Sequence, residues 1–214
     1  MLFMLNQDII FPPVHLSEPD GLLALGGDLR TERLIMAYQN GIFPWYQESE
    51  ILWWCPDPRF VLFPSDFKVS AQTRKMMDET EYTFTVNQDF AGVIRRCKEI
   101  SRPGQDGTWI TDEVEQAYTA LHKMGIAQSA EIRIHDELVG GLYGIRMGKV
   151  FFGESMFSSK PGYSRMAFTL YVEQLKKEGV QLIDCQVYTD YLASFGAAMI
   201  PRSEFLSLLK KWIP

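Results

Sequence analysis

The pattern of hydrophobic and polar positions changes character near residue 66. Before that point lie seven of the 11 prolines, and prolines at this density are incompatible with long helices and central strands. One helix fits there, over residues 32–40, between the capping residue Thr31 and the stop at Gly41. We therefore predict a small irregular N-terminal domain over residues 1–66 and a second domain over residues 67–214.

Helices and strands alternate in the second domain. From residue 81 onward the order is β-α-α-β-β-β-α-β-α-α. Helices are predicted at residues 70–78, 89–100, 112–124, 163–178, 191–196 and 202–212, and strands at residues 82–86, 128–134, 138–146, 149–153 and 181–187. This order predicts an α+β (mixed α/β) fold with a mostly antiparallel sheet flanked by helices, and it resembles the acetyltransferase (GNAT-like) architecture at the level of the fold alone.

Composition and charge exclude several classes of protein. Apolar residues make up 46% and charged residues 22% of the chain, values that exclude a disordered, collagen-like or coiled-coil protein. The formal charge is −6, and residues 1–66 carry nine acidic against three basic side chains. Extended contact between this part and duplex DNA would oppose like charges, so no DNA partner is expected.

Several site types are excluded by spacing. Cys55, Cys97 and Cys185 lack a metal-binding pattern and are expected to be free thiols of a reducing cytoplasm. No signal peptide is recognisable, and no apolar run approaches the roughly 20 residues of a membrane span. The P-loop, GxGxxG and GxSxG patterns are absent, and no glycine follows Arg or Gln by three positions as the acetyl-CoA loop of GNAT enzymes requires.

Two acidic positions stand beside apolar strands. Asp184 lies inside an apolar strand, and alternation places Asp184 and Gln186 on one face and Cys185 on the other. A carboxylate there must be hydrogen-bonded, with Gln186 as a candidate partner, so the pair is either a structural element of the sheet or a catalytic pair at a strand end. Glu154 follows another apolar strand, either as a turn or capping acid or as a group that orients an amine or hydroxyl.

Aromatic residues are frequent in irregular segments. Trp45, Trp53, Trp54 and Trp109 all lie outside the long predicted elements. A single tryptophan usually belongs to the core, but four in such segments favour a lined pocket, and flat rings stack well on nucleobases.

Long motifs are spread along nearly the whole chain. They are PDGLLALGGDL at residues 19–29, AYQ at 37–39, GIFPW at 41–45, WW at 53–54, PDPR at 56–59, GTWIT at 107–111, ELVGGLYG at 137–144, GESMFS at 153–158 and LIDCQV at 182–187. Through these motifs the chain resembles the bacterial leucyl/phenylalanyl-tRNA–protein transferase family. The resemblance implies a small N-terminal domain followed by a GNAT-like domain, a cytoplasmic location, and no metal or organic cofactor.

The resemblance also implies a reaction. Leu or Phe, and less readily Met, moves from the 3′ end of its aminoacyl-tRNA to the N-terminal Arg or Lys of an acceptor protein, which marks that protein for degradation through the N-degron pathway. No membrane takes part in this reaction.

Site residues follow from the same resemblance, position by position. Asp184 and Gln186 match the catalytic pair of the family. Substrate-binding positions are matched by Trp45, Trp109 and Glu154 near the terminal adenosine and the ester, by Tyr38 and Tyr118 as further contacts, and by Phe151, Met156, Phe168 and Tyr171 in the wall of the pocket for the amino-acid side chain.

The chain departs from the family pattern after the catalytic strand. Thr189-Asp190-Tyr191 stands where the family often has Asn-Asp-His, so an acceptor-binding role of that Asn and His does not carry over. Phe168 and Tyr171 differ from the Leu and Phe expected there, as volume-adjusting changes within the pocket. Two other functions remain open from the residues alone: an acetyltransferase, which would bind acetyl-CoA, and a non-catalytic reader of peptide N-termini, which would bind peptide without tRNA.

Overall fold

The computed structural model describes residues 2–46, 50–100 and 108–214. Gly107 of the GTWIT motif and four residues of the predicted N-terminal domain lie outside these ranges. The N-terminal part forms a four-stranded sheet in the order β1-β2-β4-β3, with β1 at Phe3–Leu5, β2 at Leu22–Gly26, β3 at Phe43–Pro44 and β4 at Leu52–Trp54. Helix α1, Thr31–Gln39, lies between β2 and β3 within one residue of the predicted range, but Thr31 is its first residue and not its cap, and no side chain caps its start.

A seven-stranded sheet organises the rest of the described chain. Its order is β11-β5-β10-β9-β8-β7-β6, with β5 at Arg59–Leu62, β6 at Thr83–Val86, β7 at Ala127–Ile134, β8 at Glu137–Met147, β9 at Val150–Ser158, β10 at Leu182–Gln186 and β11 at Ala198–Ile200. Strands β9 and β10 pair in parallel, and the other neighbours pair antiparallel. The expected α+β (mixed α/β) fold with a mostly antiparallel sheet is therefore confirmed.

Six further helices surround this sheet: α2 at Ala71–Glu79, α3 at Phe90–Glu99, α4 at Asp112–Lys123, α5 at Tyr163–Lys177, α6 at Asp190–Ala193 and α7 at Arg202–Trp212. The starts of α2, α3 and α4 are fixed by side chains that accept a backbone N–H, namely those of Ser70, Asp89 and Thr111. Such caps satisfy donors that the first turn leaves unpaired.

Helices cover both faces of the large sheet. Apolar residues of α3 and α4 pack in one core cluster with Tyr143 and Phe152, whereas those of α5 pack in a second cluster with Leu142 and Phe151. Neighbouring strand residues thus contribute to different clusters, as the alternation of side chains requires.

Two strands of the large sheet were not predicted from the sequence, and a third is longer than predicted. β5 precedes residue 66 in the proline-rich part yet pairs with β10 and β11, and β11 has three residues. β9 continues to Ser158, beyond the predicted end at residue 153. The domain boundary at residue 66 stays a prediction, although the structure assigns β5 to the larger sheet.

The parallel strands β9 and β10 part near the middle of the sheet. Their last paired residues are Phe152 and Asp184, while β9 runs on for six residues. The register shifts at this point, in the pairing of β8 with β9 between Tyr143 and Gly144, and in the pairing of β10 with β5 between Asp184 and Gln186. The gap between the strands is where the candidate site lies. Within the described part of the chain, no helix is long and apolar enough to cross a membrane.

Candidate active site

A cavity of about 700 Å³ opens where β9 and β10 part. Eight of the sequence-predicted site residues line it: Trp45, Trp109, Phe151, Glu154, Met156, Phe168, Asp184 and Gln186. The other lining residues are Phe43, Pro44, Leu142, Tyr143, Gly153, Ser155, Ser164, Ile183, Cys185, Val187, Thr189, Tyr191 and Leu192. Tyr38, Tyr118 and Tyr171 are not among the lining residues, so the structure places them behind the wall of the cavity.

Asp184 is held by a buried arginine. The side chain is 0% exposed, and its Oδ1 and Oδ2 accept from Nε and Nη2 of Arg59 at 2.8 and 2.7 Å. Burial alone would lower the pKa of Arg59, but the adjacent carboxylate of Asp184 raises it, so the guanidinium stays charged. Gln186, the candidate partner from the sequence, does donate to Asp184 through its backbone N–H, but the principal partner is Arg59 from β5.

Gln186 lies on a bulge at the end of β10. Its backbone N–H donates to Asp184 Oδ1 at 2.9 Å, and its φ of 63° falls in the left-handed region that residues other than glycine rarely adopt. The side-chain Nε2 donates to Glu154 Oε1 at 3.1 Å. Because the amide nitrogen is turned to Glu154, the amide oxygen is directed elsewhere and can accept a hydrogen bond from a ligand.

At the polar end of the cavity, Glu154 accepts hydrogen bonds from three side chains. Besides Gln186, it accepts from the hydroxyl groups of Tyr38 at 2.7 Å and Tyr118 at 3.1 Å. Burial raises the pKa of Glu154 to about 8, with a smaller upward contribution from Asp184, and the three hydrogen bonds oppose this rise. The group therefore changes charge close to neutral pH.

Tyr38 and Tyr118 support Glu154 from behind. Both are fully buried, their hydroxyl groups contact each other, and burial next to Glu154 raises the pKa of each phenol. Each phenol can donate one hydrogen and can also accept one, and both hydroxyl groups lie against the carboxyl group of Glu154, so the pair fixes its position. Contact of these two residues with a substrate stays a prediction.

The opposite end of the cavity is apolar. Phe151, Met156 and Phe168 lie there as predicted, together with Leu142 and Ile183. Tyr171 is placed differently: its ring packs edge-on against Phe151 at 5.1 Å and its hydroxyl donates to Gln128 at 2.8 Å. It shapes the pocket through Phe151.

Two tryptophans line the cavity. Trp45 comes from the N-terminal part, is 38% exposed, and its ring lies 5.9 Å from that of Trp54. Trp109 is nearly buried and packs edge-on against Tyr118 at 6.3 Å. The exposed ring of Trp45 provides a flat surface on which a base can stack.

Residues from the divergent segment also reach the cavity. Thr189 and Tyr191 line it, and the hydroxyl of Tyr191 donates to Ser164 at 3.2 Å. Sequence reasoning missed Arg59 as a site residue, although it stands in the PDPR motif and a charged residue that opens an apolar strand is a usable signal. Among the described residues, no three His, Cys, Asp or Glu side chains group to hold a metal ion.

Two models of known protein families match this chain. A family model described as leucyl/phenylalanyl-tRNA protein transferase matches residues 61–210, and the model of the N-terminal domain of that family matches residues 27–57. The second match ends just before β5, and the first begins within it.

Curated relatives match over almost the whole chain. The leucyl/phenylalanyl-tRNA–protein transferase of Syntrophobacter fumaroxidans is 50% identical over 214 residues, which cover 100% of this chain and 92% of the relative. The protein of the same name from Anaeromyxobacter sp. strain K is 51% identical over 98% of this chain and 91% of its own. That of Flavobacterium johnsoniae is 50% identical over 98% of this chain and 99% of its own.

Proposed function

Because this chain belongs to the leucyl/phenylalanyl-tRNA–protein transferase family, we propose that its cavity holds the aminoacyl end of a charged tRNA during transfer to a protein N-terminus. The protein is an aminoacyltransferase with an aminoacyl-tRNA donor and a protein acceptor. In finer detail, Leu or Phe, and less readily Met, moves to an N-terminal Arg or Lys in the cytoplasm and marks the acceptor for N-degron-dependent degradation.

The observation that carries the proposal is the division of one cavity into an apolar and a polar end. Phe151, Met156 and Phe168 form the apolar end, which suits the side chain of Leu or Phe. Gln186 and Glu154 form the polar end, where an ester and an amine can meet. The amino-acid side chain and the reacting groups are thus received by different parts of one cavity.

The reaction needs positioning more than strong base catalysis. The α-amine of the acceptor attacks the ester carbonyl, a C–N bond forms, and the C–O bond to the terminal ribose of the tRNA breaks. An α-amine has a reference pKa of about 7.7–8.0, so a sizeable fraction is neutral at cytoplasmic pH. Holding the amine and the ester together then supplies most of the acceleration.

Gln186 orients the attacking amine through its side-chain oxygen. The amide nitrogen is bound by Glu154, which fixes the direction of that oxygen. Asp184 fixes the backbone of Gln186 from the other side. The proton released from the amine leaves to the ribose oxygen or to solvent.

Trp45 and Trp109 are proposed to contact the terminal adenosine. Stacking of a base on an aromatic ring contributes about 1–3 kcal/mol and does not require a particular sequence. Trp45 is suited to this contact because it lies at the cavity and remains 38% exposed.

A panel of donors tests the function. We expect transfer of labelled Leu and Phe, and slower transfer of Met, from the charged tRNA to a peptide with N-terminal Arg, and no transfer when that N-terminus is acetylated. Ile should transfer at least about tenfold more slowly than Leu, because its Cβ branch lies next to the ester. Equal rates for Leu and Ile would reject the pocket assignment, and no transfer from any donor would reject the function.

A further inference from the structure

A fully buried arginine lies directly behind the cavity. Arg59 opens strand β5, is 1% exposed and is not among the residues that line the cavity. Its two bonds to Asp184 form a fork that engages both carboxylate oxygens. Any effect of Arg59 on the reaction must therefore pass through other residues.

Two phenyl rings fix the position of the guanidinium. The Cζ atom of Arg59 lies 4.7 Å from the ring centroid of Phe43 and 4.7 Å from that of Phe205. Phe43 belongs to β3 of the small sheet and also lines the cavity, whereas Phe205 belongs to the C-terminal helix α7. A desolvated cation between aromatic faces is held on both sides. Arg59 thus joins the small sheet, the last helix and the strand of Asp184.

Asp184, which Arg59 holds in place, is in turn hydrogen-bonded to the backbone of Gln186. The Oδ1 atom that accepts from Nε of Arg59 also accepts the backbone N–H of Gln186. That N–H belongs to the left-handed residue of the bulge, where pairing of β10 with β5 shifts register. A backbone conformation of this kind persists only where its surroundings fix it.

We propose that Arg59 is a positioning residue that, by fixing Asp184, holds the bulge from which the Gln186 side chain reaches the acceptor amine. This inference rests on the proposed transfer function. It assigns Asp184 a fixed accepting role, because Oδ1 already accepts two N–H groups and Oδ2 a third. Asp184 is then not the group that takes the proton of the amine.

Three variants separate charge from geometry. Arg59→Lys keeps the charge but cannot form the fork. Arg59→Met removes the charge and the two hydrogen bonds of the fork. It leaves Asp184 as a buried charge without its partner, which is strongly destabilising. Arg59→Met/Asp184→Asn removes that charge, while the amide oxygen of Asn can still accept the N–H of Gln186.

A matched control is available in the small N-terminal part. Arg33 of α1 is also fully buried, and it donates to Asp28 and to the backbone oxygen of Asn6. It is not among the residues that line the cavity. Arg33→Met should lower the melting temperature and leave kcat and KM of the folded enzyme as in the wild type.

The measurement is kcat and KM for Leu-tRNA and for an N-terminal-Arg peptide, together with the melting temperature of each variant. We expect Arg59→Lys to lower kcat at least tenfold with both KM values within twofold of the wild type. The double variant should regain at least fivefold in kcat over Arg59→Met and melt at a higher temperature.

Wild-type kcat in Arg59→Lys would overturn the inference. So would a raised KM at unchanged kcat, which would indicate direct substrate binding, or a double variant that regains stability without kcat. If Arg59→Met does not fold, Arg59→Lys decides, since it keeps the buried charge pair. Absence of transfer by the wild type itself would instead reject the proposed function.

Discussion

The carboxylate of Glu154 lies between two buried phenols and the amide of Gln186. Burial raises its pKa to about 8, whereas an unfolded chain leaves a glutamate near its model value of 4.5. A raised carboxyl pKa means that the folded state binds the proton more tightly than the unfolded state. The resulting stabilisation is fully present below about pH 4.5 and is lost as pH rises through about 8.

Replacement of this group should change how stability depends on pH. We expect the melting temperature of Glu154→Gln, relative to the wild type, to rise between pH 5 and pH 9 by at least about 2 °C, the smallest shift that about 1 kcal/mol causes in a protein of this size. Glu137→Gln serves as the control, because Glu137 is exposed at the start of β8. A difference between Glu154→Gln and wild type that stays constant with pH would show that Glu154 does not titrate in this range.

At the scale of single elements, helix α5 makes two different contributions to the pocket. Phe168 faces the cavity, while Tyr171, three residues further along the helix, packs behind Phe151 and bonds Gln128. Residues three apart lie on the same side of a helix. One helix face therefore provides both a wall residue and the support of another wall residue.

The pair Phe168→Leu and Tyr171→Phe tests this division. Phe168→Leu enlarges the apolar end and should raise the preference for Phe over Leu, measured as the ratio of kcat/KM values, by about tenfold. Tyr171→Phe removes one hydrogen bond and keeps the ring against Phe151, so the preference should stay within twofold of the wild type. The reverse result would place Tyr171, and not Phe168, in contact with the substrate.

Helix positions were predictable because the relevant signals are local. Apolar spacing predicted α2, α3 and α4 to within about two residues, the usual scatter of helix ends, and the structure shows side-chain caps at the start of each. The strand β5 was missed because prolines surround it, and β11 because three residues carry little pattern. Both owe their place to long-range pairing, which no local pattern encodes.

The site was predictable only in part, because some of its features are local in sequence and others are not. Motifs identified Asp184, Gln186 and Glu154, and the structure brings them together at the cavity. The partnership of Asp184 with Arg59 joins residues 125 positions apart, and the bulge at Gln186 breaks the simple alternation assumed for a strand. Neither feature follows from spacing along the chain.

At the scale of the whole molecule, the site depends on both sheets and on the C-terminal helix. The small sheet contributes Phe43, and Trp45 follows directly after it. The large sheet contributes Glu154 and Gln186, and α7 supplies Phe205 behind Arg59. The residues that line the site and those that fix Arg59 come from parts of the chain far apart in sequence. The complete fold is therefore required to assemble the site.

The central claim is that transfer takes place at the polar end of this cavity, with Gln186 orienting the amine. The most direct measurement is the single-turnover rate of labelled Leu transfer from Leu-tRNA to an N-terminal-Arg peptide. Loss of the orienting amide in Gln186→Ala should lower this rate by about 100-fold, the loss that a misplacement of about 1 Å between reacting groups causes. Gln181→Ala, which changes an exposed glutamine just before the same strand, should keep the wild-type rate. Equal rates in the two variants would contradict the claim.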